Sequence, residues 1–161
     1  MTDEKTESKA LKDIIKPGDV AMVVTSSNGK LSSRPLTVAS VQTDDLLFLI
    51  DRRADWLTEK ILGEHVHVAI SAGGRNDWVS VNGKASLNDD RTLIRELWTP
   101  FAGAYFDSED DPNVVVLDIA VNEGEYWSAP GGGPFGRLIS IVSTALGHEK
   151  GPGAGEHGTI A

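Results

Sequence analysis

The chain has 161 residues, 40% hydrophobic and 24% charged, enough for one globular domain with a substantial core. Its formal net charge of −9 argues against nonspecific binding to nucleic acid, and neither a basic reading helix nor an RNA-stacking motif is visible. The absence of cysteine excludes disulfides, zinc–thiolate centres and thiol nucleophiles.

The N-terminus is charged with no apolar stretch behind it, so neither a secretion signal nor a membrane span is expected, and the cytoplasm is the expected compartment. Ala10, Leu11, Ile14 and Ile15 fall at helical spacing and predict a short helix over 4–15. Lys16-Pro17-Gly18-Asp19 stops it. A hairpin follows over 20–41, turning at Asn28-Gly29, a pair that accepts positive φ at both central positions. Its second arm carries Arg34 and Pro35. Pro35 removes a ladder donor and confines that segment to an edge or a bulge. Two readings of Arg34 stand: a strand lining a ligand groove, or an edge strand whose arginine points at solvent.

Leu46 to Ile50 is a continuous apolar run and predicts a strand buried on both faces. Asp51-Arg52-Arg53-Ala54-Asp55 comes next. A helix is then expected through 56–62, capped by Asp51 or Asp55 and ended by Gly63. His65 to Ile70 predicts a strand. Trp78 to Leu87 alternates as one long strand with a bulge at Gly83. Asp89 or Asp90 caps a helix through Trp98. Residues 113–121 form a buried strand, Glu123-Gly124 a turn, 125–128 a further strand and 137–142 a last short helix. From Gly147 glycine dominates without apolar period, so 147–161 is expected to be a disordered tail behind a single domain of 1–146. Hairpins prevail over βαβ units. The expected architecture is mainly β with short peripheral helices, as six or seven antiparallel strands closing into a barrel.

Strand, Asp51-Arg52-Arg53, then helix is an arrangement that holds anions, because free amides and the helix dipole join two arginines. The alternative is a solvated turn with Arg53 paired to Asp55. His65 and His67 share a strand face but lack a third ligand, so no metal site is expected. Trp98 belongs on the apolar face of its helix with Ile94. Trp78 and Trp127 either pack in the core or flank a planar ligand. No catalytic residue can be named.

Several segments carry a family likeness. They are Ser33-Arg34-Pro35-Leu36 after the Asn-Gly turn, Leu47 to Arg52, Trp78 to Ala85, Ile94 to Phe101, and Glu125 to Pro130. In that order they resemble the general stress protein branch of the pyridoxamine 5′-phosphate oxidase-like family, from about residue 5 to 146. The resemblance implies an FMN-binding split β-barrel, usually a homodimer with flavin in grooves between subunits. By position it implies that Arg34 and Leu36 border the flavin. Ile50, Asp51, Arg52 and Arg53 would lie along its ribityl phosphate, and Trp78 would contact it from the long bent strand. Close relatives carry a serine and a lysine where this chain has Ala54 and Trp56. The loss of that lysine points to weak FMN or another flavin nucleotide, with Trp56 able to stack on a planar group. The implied function is a flavin-binding stress-type protein acting as a flavin-dependent oxidoreductase. The alternatives are a non-enzymatic flavin carrier, a ligand-free structural dimer, or a haem or deazaflavin binder on the same barrel. Neither nucleic acid nor membrane is an expected partner.

Overall fold

The computed structural model describes residues 7–57, 61–62, 64–72, 77–128 and 156–160. Among these residues nine strands form one sheet. They are β1 (Glu7–Lys9), β2 (Val20–Ser27), β3 (Lys30–Thr37), β4 (Ser40–Val41), β5 (Asp45–Asp51), β6 (His65–Ala72), β7 (Asp77–Asn88), β8 (Val114–Ser128) and β9 (Glu156–Ile160). Two short helices, α1 (Leu11–Ile14) and α2 (Arg91–Leu97), lie on the periphery. The architecture is mainly β, and every strand pair but β1–β9 is antiparallel.

The 15-residue β8 is the spine. One edge pairs with β7 along nearly its whole length. The other edge is divided: its first half pairs with β5 and its last residues with β9. From β7 the sheet continues through β6 to β2 and β3. The chain then leaves β3, donates from the Ala39 amide to the Leu47 carbonyl at 2.8 Å, and pairs with β5 as β4. That crossing closes the barrel. Its interior holds Val23, Phe48, Ile50, Val68, Val81, Ile119 and Tyr126.

The β2–β3 turn uses Asn28 at φ 52° and Gly29 at φ 74°, as mirror-image hairpin turns require. The run at 46–50 is indeed buried on both faces. Leu46, Phe48 and Ile50 face the barrel, while Leu47 joins Ile94, Val114 and Val116 in a second cluster under α2. Asp90 caps α2 by accepting from the amides of Thr92 and Leu93. Trp98 packs on that second cluster, with its ring 6.3 Å from that of Phe106. The register between β7 and β8 shifts between Asn82 and Gly83, and Asn122 is the residue left over.

Four expectations are corrected. Residues 7–9 pair with β9, so the first helix shrinks to Leu11–Ile14. Residues 52–57 form turns and contain no helix start, so the helix expected over 56–62 has no support among the described residues. Glu123-Gly124 is strand, because the bulge at Asn122 absorbs the bend and β8 runs on to Ser128. The tail is not disordered throughout: Glu156–Ile160 lies between β8 and β1. The helix expected at 137–142 and the Gly-Pro segment before it lie outside the described residues.

Candidate functional site

A groove of about 880 Å³ opens beside the barrel seam. One wall is the chain from Pro35 to Ala39, where β3 passes into β4. The end of β5 supplies Leu49, Ile50 and Asp51, and the following turn supplies Ala54 and Trp56. The segment after α2 adds Phe101, Ala102, Tyr105 and Phe106 to the lining. Pro17, Gly18 and Val20 complete the rim. Such a volume with mainly apolar walls suits a small organic ligand. Phe101 and Tyr105 stand 55% and 71% exposed with ring centroids 5.3 Å apart. Large aromatics held open to solvent in this way are poised to cover something.

Trp56 is half-buried against the barrel core, and the guanidinium of Arg34 lies over its ring at 4.4 Å. Arg34 also donates through Nη1 to Thr25 Oγ1 at 3.0 Å and through Nη2 to Ser32 Oγ at 2.8 Å. Burial lowers the pKa of this guanidinium from its ordinary value. Arg34 thus sits behind Trp56, braced by β2 and β3.

Asp51 is the one charged residue lining the groove among the described residues. Its Oδ1 accepts from the Arg53 amide at 2.8 Å and from Arg53 Nε at 3.0 Å, while Oδ2 accepts from Arg53 Nη2 at 2.7 Å. These bonds hold its carboxyl down to about 2. Arg53 therefore pairs with Asp51, not with Asp55. Arg52 reaches Asp89 at 2.8 Å, and Asp89 also takes Arg91.

The groove brings together Leu36, Ile50, Asp51 and Trp56, with Arg34 behind them and Arg52 and Arg53 in the adjoining turn. It does not include Trp78 or Trp127. Those two are directly opposite each other on β7 and β8, on the outer sheet face, 38% and 39% exposed. Up to roughly 40 Å of extended strand separates Trp127 from Val115, the partner of Ile50. Sequence reasoning missed Phe101 and Tyr105 as lining residues, although the aromatic run 101–106 was their signal. His67 is bonded through Nδ1 to Asn82 Oδ1 at 2.9 Å. Among the described residues no group of three acidic or histidine side chains could hold a metal ion.

Residues 6–151 match the family model described as pyridoxamine 5′-phosphate oxidase like. The chain belongs to the pyridoxamine 5′-phosphate oxidase-like family. Within reach of this family lies general stress protein 26 of Bacillus subtilis, 28% identical over 124 residues that cover 74% of this chain and 86% of that protein. Protein bli-3 of Neurospora crassa is 28% identical over 112 residues, covering 63% of this chain. The match spans only 54% of the length of bli-3. Among solved structures, the general stress FMN/FAD binding protein of Xanthomonas citri superposes with a TM-score of 0.61 at 20% identity, over 70% of this chain and 82% of that one. At that identity the likeness is one of fold, and the split barrel is the fold it shares. Among the described residues no helix is long and apolar enough to cross a membrane.

Proposed function

We propose that this chain is a flavin-binding protein of the stress type, with FMN the form its family leads one to expect, working as a cytoplasmic homodimer. The observation that carries this reading is the groove itself, a mainly apolar cleft whose lining includes Trp56, Phe101 and Tyr105. Aromatic and apolar side chains of this kind can bury a planar ring system. Leu36, Ile50 and Trp56 would border the ring, and Asp51 would lie toward the ribityl end. The bound isoalloxazine would supply the redox chemistry while the protein supplies binding and orientation.

The dimer supplies what one chain lacks. Trp78 and Trp127 share the outer sheet face with Met22, through the register of β2, β6, β7 and β8, and Met22 is also exposed. A second copy seated on that face would bury these side chains. It would also bring Trp78 and Trp127 to the neighbouring groove, whose rim includes Val20 and Pro35. Such an interface should bury more than ~1,000 Å².

A non-enzymatic flavin carrier is the second reading. It is favoured by Asp51, which Arg53 keeps ionised and so unable to donate a proton. One experiment tests both readings. The purified protein is titrated with flavin by absorbance and fluorescence, its mass is followed by light scattering, and the loaded protein is mixed with a nicotinamide reductant. Flavin binding to a dimer supports the site, and reduction of the bound flavin separates oxidoreductase from carrier. A protein that stays monomeric and colourless with excess flavin would refute the reading.

A further inference from the structure

We infer that the groove grips its ligand by the ring and not by a terminal phosphate, so that riboflavin binds about as tightly as FMN. This inference rests on the flavin reading above and concerns which end of the flavin the chain holds.

A phosphate needs free cations or free amides. Among the described residues, neither lysine nor arginine lines the groove, and the charged lining group is the carboxylate of Asp51. The nearby arginines are engaged. Arg34 lies over Trp56 and donates to Thr25 and Ser32. Arg52 is paired with Asp89 and Arg53 with Asp51.

Four amides of the turn are engaged as well, those of Asp55 and Trp56 not among them. Arg52 N donates to the Asn113 carbonyl at 2.9 Å, Arg53 N to Asp51 Oδ1 at 2.8 Å, and Ala54 N to the Asp51 carbonyl at 3.0 Å. Leu57 N donates to the Ala54 carbonyl at 2.9 Å. Among the described residues of this turn no helix begins. Ala54 offers no side-chain donor, and Trp56 offers one indole N–H.

The Asp51 carboxylate therefore does internally what a bound phosphate would do. It collects the Arg53 amide, Nε and Nη2. The surrounding charge points the same way. Asp107 and Asp111 also act on Arg53. With Asp51 and Asp89 they outnumber Arg52, Arg53 and Arg91. A phosphate monoester brings about −1.5 to −2 charges at neutral pH. It would have to displace Asp51 and enter a ring whose positive charge is already matched. The ring end meets no such obstacle, because Trp56 is backed by Arg34 and its face is fixed before any ligand arrives.

The test is a titration of wild-type protein with riboflavin and with FMN, read by fluorescence at two salt concentrations. Dissociation constants within about threefold of each other are expected. FMN binding should also be nearly unchanged between about 50 and 300 mM salt, since a held phosphate would respond to screening. Asp51→Ala releases the Arg53 donors and should tighten FMN about tenfold relative to riboflavin. Asp51→Ala combined with Arg53→Ala, which removes both members of the ion pair, should return the ratio of the two affinities to its wild-type value. FMN tighter than riboflavin by about tenfold or more in the wild type would overturn the inference while leaving the flavin reading standing. So would a selective loss of FMN in the double variant relative to the wild type, or an equal change for both ligands in Asp51→Ala. A wild-type protein that binds neither flavin overturns both.

Discussion

The guanidinium carbon of Arg34 lies 4.4 Å from the centroid of the Trp56 ring, so a cation on β3 is stacked against an aromatic from the turn after β5. This contact joins two stretches that meet only through the closed barrel. It also gives Arg34 an environment that neither of its sequence readings contained: the head is neither in the groove nor simply in solvent. A partly desolvated cation–π pair contributes about 1 kcal/mol.

A double-mutant cycle should expose that contribution. Arg34→Met and Trp56→Leu each remove one partner while keeping much of the side-chain volume. Measured by urea denaturation, the two changes together should cost about 1 kcal/mol less than the sum of the single costs. Strict additivity would show that the two groups are neighbours without being energetically coupled.

Gly83 and Gly124 stand where an added side chain would collide with the facing strand. A Cβ on Gly83 would meet the Ala120 carbonyl oxygen at 2.5 Å, and one on Gly124 would meet Val81 Cγ1 at 2.5 Å. The obstacle to Gly83 is backbone within a paired strand, which cannot swing aside. Gly83→Ala should therefore destabilise the fold by about 1–3 kcal/mol. An unchanged denaturation midpoint would mean that the bulge at Asn122 can slide to make room.

The parts of the fold that were legible in the sequence are those decided by neighbours in the chain. Asn28-Gly29 specifies its turn, Leu46 to Ile50 specifies a strand buried on both sides, and Asp90 specifies the start of α2. The misread parts are decided by pairing at a distance. Residues 7–9 have helical neighbours but lie beside β9. Glu123 and Gly124 have turn composition, yet the bulge keeps them in β8 and Gly124 is needed for its contact with Val81. The same division holds in the groove. Its apolar and aromatic lining could be expected from residue type. The state of its charges could not, because Asp51 and Asp55 are equally close to Arg53 in sequence and only the fold selects Asp51.

Asp118 should set one feature of the pH dependence. Its Oδ1 is buried without a hydrogen-bond partner among the described residues. Burial, and then the nearby Asp45 carboxylate, raise its pKa above the ordinary value. An acid whose folded pKa is raised opposes folding when ionised. That opposition is complete above the folded pKa and disappears below the unfolded value, near ~4. Asp118→Asn should therefore stabilise the protein at neutral pH. The gain should shrink as the pH falls to about 4. Asp51 behaves oppositely, because Arg53 depresses its pKa to about 2 and its support is lost only as the pH falls toward that value. Chemical denaturation of both proteins from neutral to acid pH checks this, and a pH-independent difference would assign the effect to packing.

The last prediction concerns the C-terminal strand. Residues 156–160 follow a glycine-rich stretch, yet they form β9 between Glu125–Ser128 of β8 and Glu7–Lys9 of β1. Ile160 packs on the barrel core. Removing 147–161 would withdraw that apolar contact, worth about 1–2 kcal/mol for a partly buried isoleucine. It would also free one edge of β8 and leave β1 without its strand partner. Unpaired strand edges of this kind invite pairing with other chains. The truncated protein should melt about 2–8 °C lower, given about 2–4 °C per kcal/mol for a domain of this size. It should also lose amide protection at Glu125 and Trp127, where β8 would no longer have β9 beside it. Removing Ala161 alone should change neither quantity. If truncation at 147 left both the melting temperature and the β8 protection unchanged, β9 would contribute nothing to stability, and the chain from Gly147 onward would be dispensable.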